Sequence, residues 1–201
     1  MKLSRRIAWL LFVVVVAPPL FASTWYVRRD GGTRYSRNVP SGQCDGRADA
    51  PYPGAGKDRH CAFNDFRSLW DDKSGKVGAG AWVIAGGDTV IIRGCSAGRS
   101  QSNPSNPDCR IGWDAPTGTG ENLWCYGVGS YTCYNPPIPT GTAAHHTRIL
   151  GQNYANCNVG GATNPKQYVS NLTQLFGGFS LRYTFNLQNT QYVDVQCIEL
   201  T

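Results

Sequence analysis

Apolar residues fall into short runs of two kinds along the chain. Thr24 to Arg29 (TWYVRR) has the β-branched and aromatic texture of a strand, stopped by Asp30-Gly31-Gly32. Thr89-Val90-Ile91-Ile92-Arg93 reads as a second strand, launched from a Gly86-Gly87-Asp88 turn. Thr147 to Leu150 (TRIL) reads as a third, ended by Gly151. From Tyr168 onward short β-type runs follow one another: Leu175-Phe176, Phe179 to Leu187, Tyr192 to Val195 and Cys197 to Leu200. In Phe179 to Leu187, and again at Val193, Val195 and Cys197, apolar positions recur every second residue, as on strands with one face inward. One stretch has helical spacing. Cys61 to Trp70 places Phe63, Phe66, Leu69 and Trp70 on one side, which predicts a short amphipathic helix.

Between these runs the chain is rich in turn-forming residues. Residues 36–59 hold three prolines and four glycines and read as loop. Residues 94–146 form a long Pro- and Gly-rich excursion, a loop insert far above the usual connection length. With 24 Gly, 12 Pro and only 16% charged residues, the composition excludes a coiled coil and a helical bundle.

The start of the chain reads differently. Lys2, Arg5 and Arg6 precede an apolar run from Ile7 to Ala17, which Pro18-Pro19 ends before Leu20-Phe21-Ala22-Ser23. This is the layout of a secretory signal peptide over residues 1–23, with cleavage after Ala22 or Ser23. The rival reading is an uncleaved membrane anchor, against which the run is shorter than the roughly 20 apolar residues of a span and ends in two prolines. Without the three basic residues of this segment the net charge falls from +6 to +3. No Lys/Arg cluster then remains beyond Arg28-Arg29, which argues against a nucleic-acid or membrane-surface role.

The eight cysteines fit an exported protein: Cys44, Cys61, Cys95, Cys109, Cys125, Cys133, Cys157 and Cys197. No C-x-x-C pair occurs, so disulfides are expected rather than zinc or thioredoxin chemistry. Spacing does not determine connectivity; the nearest-neighbour set is Cys44–Cys61, Cys95–Cys109, Cys125–Cys133 and Cys157–Cys197.

The order of these elements resembles the N-terminal capping region of secreted right-handed parallel β-helix proteins, the pectate-lyase-like superfamily. It is similar in particular to a bacterial group of right-handed parallel β-helix repeat proteins. The residues that carry the likeness are Trp25-Tyr26-Val27, Arg29-Asp30-Gly31-Gly32, Gly86 to Gly94 and Thr147 to Gly151, with cysteine-rich inserts between them. The resemblance spans residues 24–201. It implies an all-β fold, the start of a right-handed single-stranded parallel β-helix, with a short capping helix over 61–70 and long disulfide-rich loops. The pattern stops within a strand at Glu199-Leu200-Thr201, so further coils are expected beyond it. The family's lyases hold Ca²⁺ with acidic residues and use an Arg or Lys base in central coils. No residue here matches such a site, so any Ca²⁺ belongs to those further coils, and no cofactor is evident in this chain.

Other chemistry is weakly signalled. Pro53 to Asp58 lacks the residues of a phosphate loop. His145-His146 reads as a solvated pair, and Asp45 with Asp49, or Asp71-Asp72, does not match a calcium loop. Asp194 and Glu199 face opposite ways on an unbroken strand. Asn171-Leu172-Thr173 is a glycosylation acceptor only in a suitable host. The aromatic residues Trp113, Trp124, Tyr126, Tyr131 and Tyr134 of the insert are the candidate glycan contacts. The expected protein is therefore a secreted, periplasmic or cell-surface monomer that binds or degrades polysaccharide. The alternatives are a non-catalytic adhesion protein or a stand-alone disulfide-rich binding module. Whether it is an enzyme stays open at this level.

Overall fold

The computed structural model describes residues 22–36, 40–69, 82–93, 110–111, 137–157, 172–175 and 185–200. Seven strands are seen among them: β1 (Thr24–Gly32), β2 (Thr89–Arg93), β3 (Arg110–Ile111), β4 (Thr147–Gly151), β5 (Thr173–Leu175), β6 (Val193–Gln196) and β7 (Ile198–Leu200). Strand is the main regular structure among the described residues, and the fold is all-β. A four-stranded sheet runs in the order β1-β2-β4-β6 and a three-stranded sheet in the order β3-β5-β7. Every pairing is parallel. From β2 onward the chain alternates between the sheets and lands one strand further along each time.

Register explains which residues are inside. Trp25, Val90, Ile149 and Val195 form one row across the larger sheet, and Val27, Ile92 and Gly151 form the next inward row. These rows meet Ile111 and Leu175 of the smaller sheet in a single core. Between them lie the outward rows, among them Thr24, Thr89, Arg148 and Asp194. Apart from Gly151, the inward positions of these rows are β-branched or aromatic at period two, which suits strands buried on one face.

Two buried threonines tie successive passes of the chain together. Thr147 Oγ1 accepts from Gly87 N at 2.9 Å and donates to Pro139 O at 2.8 Å. Thr173 Oγ1 accepts from Gln152 N at 3.0 Å and donates to Ile92 O at 3.2 Å. Both hydroxyls are thereby satisfied in the core. Gly87 has φ +94°, a left-handed conformation that glycine adopts without cost and that the turn into β2 requires. Between β6 and β7 the chain changes sheet at Cys197, which has φ +58° and is disulfide-bonded to Cys157.

The predicted helix over 61–70 is not formed among the described residues. Only Phe66–Leu69 is helical, as one 3-10 turn, and Trp70 lies outside the described residues. The reason is that the preceding backbone is already used. Gly32 N donates to Ala62 O, Ala62 N to Ala50 O and Asn64 N to Gly32 O, all at 2.9 Å. These bonds hold 61–64 extended and carry β1 on to Gly32, beyond the stop read at Asp30. Phe63, Phe66 and Leu69 are buried all the same, because an extended segment followed by a 3-10 turn turns them onto the core. Phe63 stacks on Trp25 with ring centroids 6.1 Å apart, and Phe66 meets Phe185 edge-on at 5.6 Å.

The outer side of β1 is covered by this same segment. Tyr26 N donates to Gly46 O, and Gly46 N to Cys61 O, both at 2.9 Å. The Cys44–Cys61 disulfide closes the loop between these two residues. Of the strand read over Phe179 to Leu187, residues 179–184 lie outside the described residues, and 185–187 form no strand.

Candidate functional site

Parallel pairing of β4 with β6 sets Arg148 opposite Asp194 on the outward face. His146, just ahead of β4, reaches the same carboxylate, with Nδ1 3.1 Å from Asp194 Oδ1. Arg148 Nε stands 3.9 Å from Asp194 Oδ2. Two phenols flank this group. The Tyr192 ring lies 5.5 Å from that of His146, and the Arg148 guanidinium lies 5.9 Å from the Tyr154 ring. Tyr154 opens the 3-10 turn Tyr154–Asn156 that follows β4 and is 38% exposed. Tyr192 is 45% exposed and has φ +53°. A tyrosine in the left-handed region is strained, and such strain concentrates at functional positions. The conformation is held by its carbonyl, which accepts from Thr147 N at 2.9 Å. The outcome is two exposed rings beside an imidazole, a guanidinium and a carboxylate gathered at β4 and β6. Such a surface can stack on an apolar ring face and exchange hydrogen bonds with hydroxyls.

A second charged group, on β1 and β2, is closed on itself. Arg28 and Arg93 are register neighbours. Asp49 Oδ1 accepts from Arg28 Nη1 at 2.9 Å, and Asp49 Oδ2 from Arg93 Nε at 2.7 Å. Arg28 also forks onto Asp30, at 2.8 and 2.9 Å. Burial pushes the Asp49 carboxyl up, but the hydrogen bonds from Arg93 and Arg28 outweigh it and hold it below the usual range. The Asp30 carboxyl is held low by its hydrogen bond from Arg28, and the Arg28 guanidinium is pushed up in return. Like charges on adjacent strands repel, and Asp49 between them turns that repulsion into a clamp.

The sequence-level candidates separate as follows. Cys44 joins Cys61 and Cys157 joins Cys197. Cys95, Cys109, Cys125 and Cys133 lie outside the described residues, as do Trp113, Trp124, Tyr126, Tyr131, Tyr134, Asp71 and Asp72. The two adjacent histidines part company: the His145 backbone exchanges hydrogen bonds with Thr142, while His146 turns to Asp194. Asp45 pairs with His60 at 2.8 Å, away from Asp49. Glu199 sits on β7 and Asp194 on β6, in different sheets. Residues 53–58 form an exposed loop, with Tyr52 Oη donating to Gly56 O at 2.9 Å. Among the described residues no three His, Cys, Asp or Glu side chains stand together to hold a metal ion. No described helix is long and apolar enough to cross a membrane.

Tyr154, Tyr192 and Arg148 were not singled out by sequence reasoning. Alternation alone puts Arg148 outward beside inward Ile149. That it meets a carboxylate on β6, with His146 and Asp194 48 residues apart, follows only from register. No protein-family model, curated protein or solved structure matches the chain.

Proposed function

We propose that this is an exported parallel β-helix protein that binds polysaccharide on the outward face of its larger sheet. Tyr154 and Tyr192 act as stacking rings, and His146, Arg148 and Asp194 supply hydrogen bonds to sugar hydroxyls. The observation that carries this reading is the pair of exposed tyrosines flanking a connected imidazole, carboxylate and guanidinium on register-fixed strands. The alternating visits to two parallel sheets support the β-helix part, since each pass then adds one rung to both sheets. The disulfides support export. Binding is favoured over hydrolysis by a carboxylate pair. Asp49 is clamped between two arginines and Asp194 is held by His146, so among the described residues these two carboxylates form no free pair.

Affinity electrophoresis through gels containing neutral and acidic polysaccharides tests this reading. Retardation by at least one polymer is expected, weakened about tenfold or more by Tyr192→Ala or Tyr154→Ala, from the ordinary worth of an aromatic stacking contact. Free migration through the whole panel sinks the proposal. Release of reducing ends during the run would replace binding with catalysis.

A further inference from the structure

Asp88 is a buried carboxylate that the outward face does not use. It is 5% exposed. Oδ1 accepts from Ser23 N at 2.7 Å, and Oδ2 from Trp25 Nε1 and Ala85 N, each at 2.9 Å. In an uninterrupted chain all three donors are neutral. The Arg47 guanidinium lies over the Trp25 ring, 3.3 Å from its centroid, and acts on Asp88 through space rather than by a hydrogen bond. A carboxylate so far from water is costly unless a cation pairs with it.

Ser23 is the residue at which the sequence predicts the leader to end. The two cuts compatible with the sequence, after Ala22 and after Ser23, have different consequences in the fold. Ser23 is built into the sheet: its nitrogen bonds Asp88, and its carbonyl accepts from Thr89 N at 2.9 Å. A cut after Ser23 removes both bonds. A cut after Ala22, which is exposed, removes neither. It also converts the Ser23 nitrogen from a neutral amide into an α-ammonium already within 2.7 Å of Asp88 Oδ1.

We infer that the chain is processed between Ala22 and Ser23, and that the new α-ammonium pairs with Asp88 to lock the start of β1 against the turn into β2. The inference rests on the export reading above. A signal peptidase hydrolyses the Ala22–Ser23 amide with one water. The hydroxyl goes to the Ala22 carbonyl, the hydrogen to the Ser23 nitrogen, and solvent supplies the further proton of the ammonium. The pairing raises the amine above its ordinary range of about 7.7–8.0. The stabilisation is therefore complete below about pH 8 and is lost as pH rises through the value in the folded state.

The experiment has two arms. The protein exported by a host through its own leader is sequenced from its N-terminus and weighed intact; Ser23 is the expected first residue. Two full-length mature forms, one beginning at Ser23 and one at Ala22, are then released from a removable fusion and melted between pH 5 and 10. The Ser23 form is expected to melt about 3–6 °C higher at pH 6, with the gap closing towards pH 10. Asp88→Asn should abolish the gap; if that variant does not fold, the two start points still carry the comparison. A first residue of Thr24, or equal melting of the two forms at pH 6, overturns the inference and leaves export standing. An exported chain that still begins at Met1 overturns the inference alone, and a chain that keeps Met1 and is not exported overturns both.

Discussion

The two sides of the larger sheet differ in how they are finished. On the β1 side, residues 42–64 lie along the strand, bond its backbone, carry a disulfide and press Phe63 onto Trp25. On the β6 side, among the described residues, Val195 is 38% exposed, although it continues a row whose other members, Trp25, Val90 and Ile149, are at most 4% exposed. An open strand edge is a liability that proteins cover or break up. Here one side is sealed by an irregular, cross-linked segment, and the other carries the exposed rings and the polar group of the candidate site. Among the described residues the cross-linked cover and the candidate site thus lie at opposite edges of the larger sheet.

That contrast can be broken or sharpened by experiment. The largest effect is expected from Phe63→Ala, which empties the space between the covering segment and Trp25. A loss of about 3–5 kcal/mol in denaturant unfolding is expected, and a loss under 1 kcal/mol would mean that the covering segment does not support the core. Replacing Cys44 and Cys61 together by Ser should cost about 2–4 kcal/mol, read as a lower denaturation midpoint with an intact fold. Next comes acid. Asp49 and Asp30 have depressed carboxyls, so their contribution is present above the unfolded carboxylate range near pH 3.9 and is lost as pH falls through the folded values. Melting followed from pH 7 down to pH 2 should fall less steeply in Asp49→Asn than in the parent, with a difference of about 1 kcal/mol or less at so partly exposed a site. The smallest change is expected from Val195→Ala on the open side, well under about 1 kcal/mol because the side chain is only partly removed from water. A cost there equal to that of Phe63→Ala would erase the distinction between the two ends.

Much of the fold was legible as local pattern. The strands at Thr24, Thr89 and Thr147 follow from β-branched and aromatic residues at period two, and Gly87 from the need for a left-handed turn before Asp88. The helix over 61–70 was misread for an instructive reason. Phe63, Phe66 and Leu69 are spaced as on a helix, but the same residues are buried by a strand-like segment and one 3-10 turn. Periodicity over ten residues reports which side chains go inside, and the hydrogen-bond partners of the backbone decide by which geometry. The candidate site was less legible still. Alternation with Val193 and Val195 puts Asp194 on the outward side, but its meeting with His146 and Arg148 depends on the register of β4 against β6.

By itself the sequence determined the strand-rich character, the turns, the placing of apolar side chains and the leader-like start, because each depends on residues close together in the chain. The tertiary structure alone decided the rest. It chose which strands pair, drew Asp49 between two arginines, buried Asp88 beside Ser23, and set the tyrosines around His146, Arg148 and Asp194. Those contacts join residues tens of positions apart, and no local spacing encodes a parallel register that only the shared core can select.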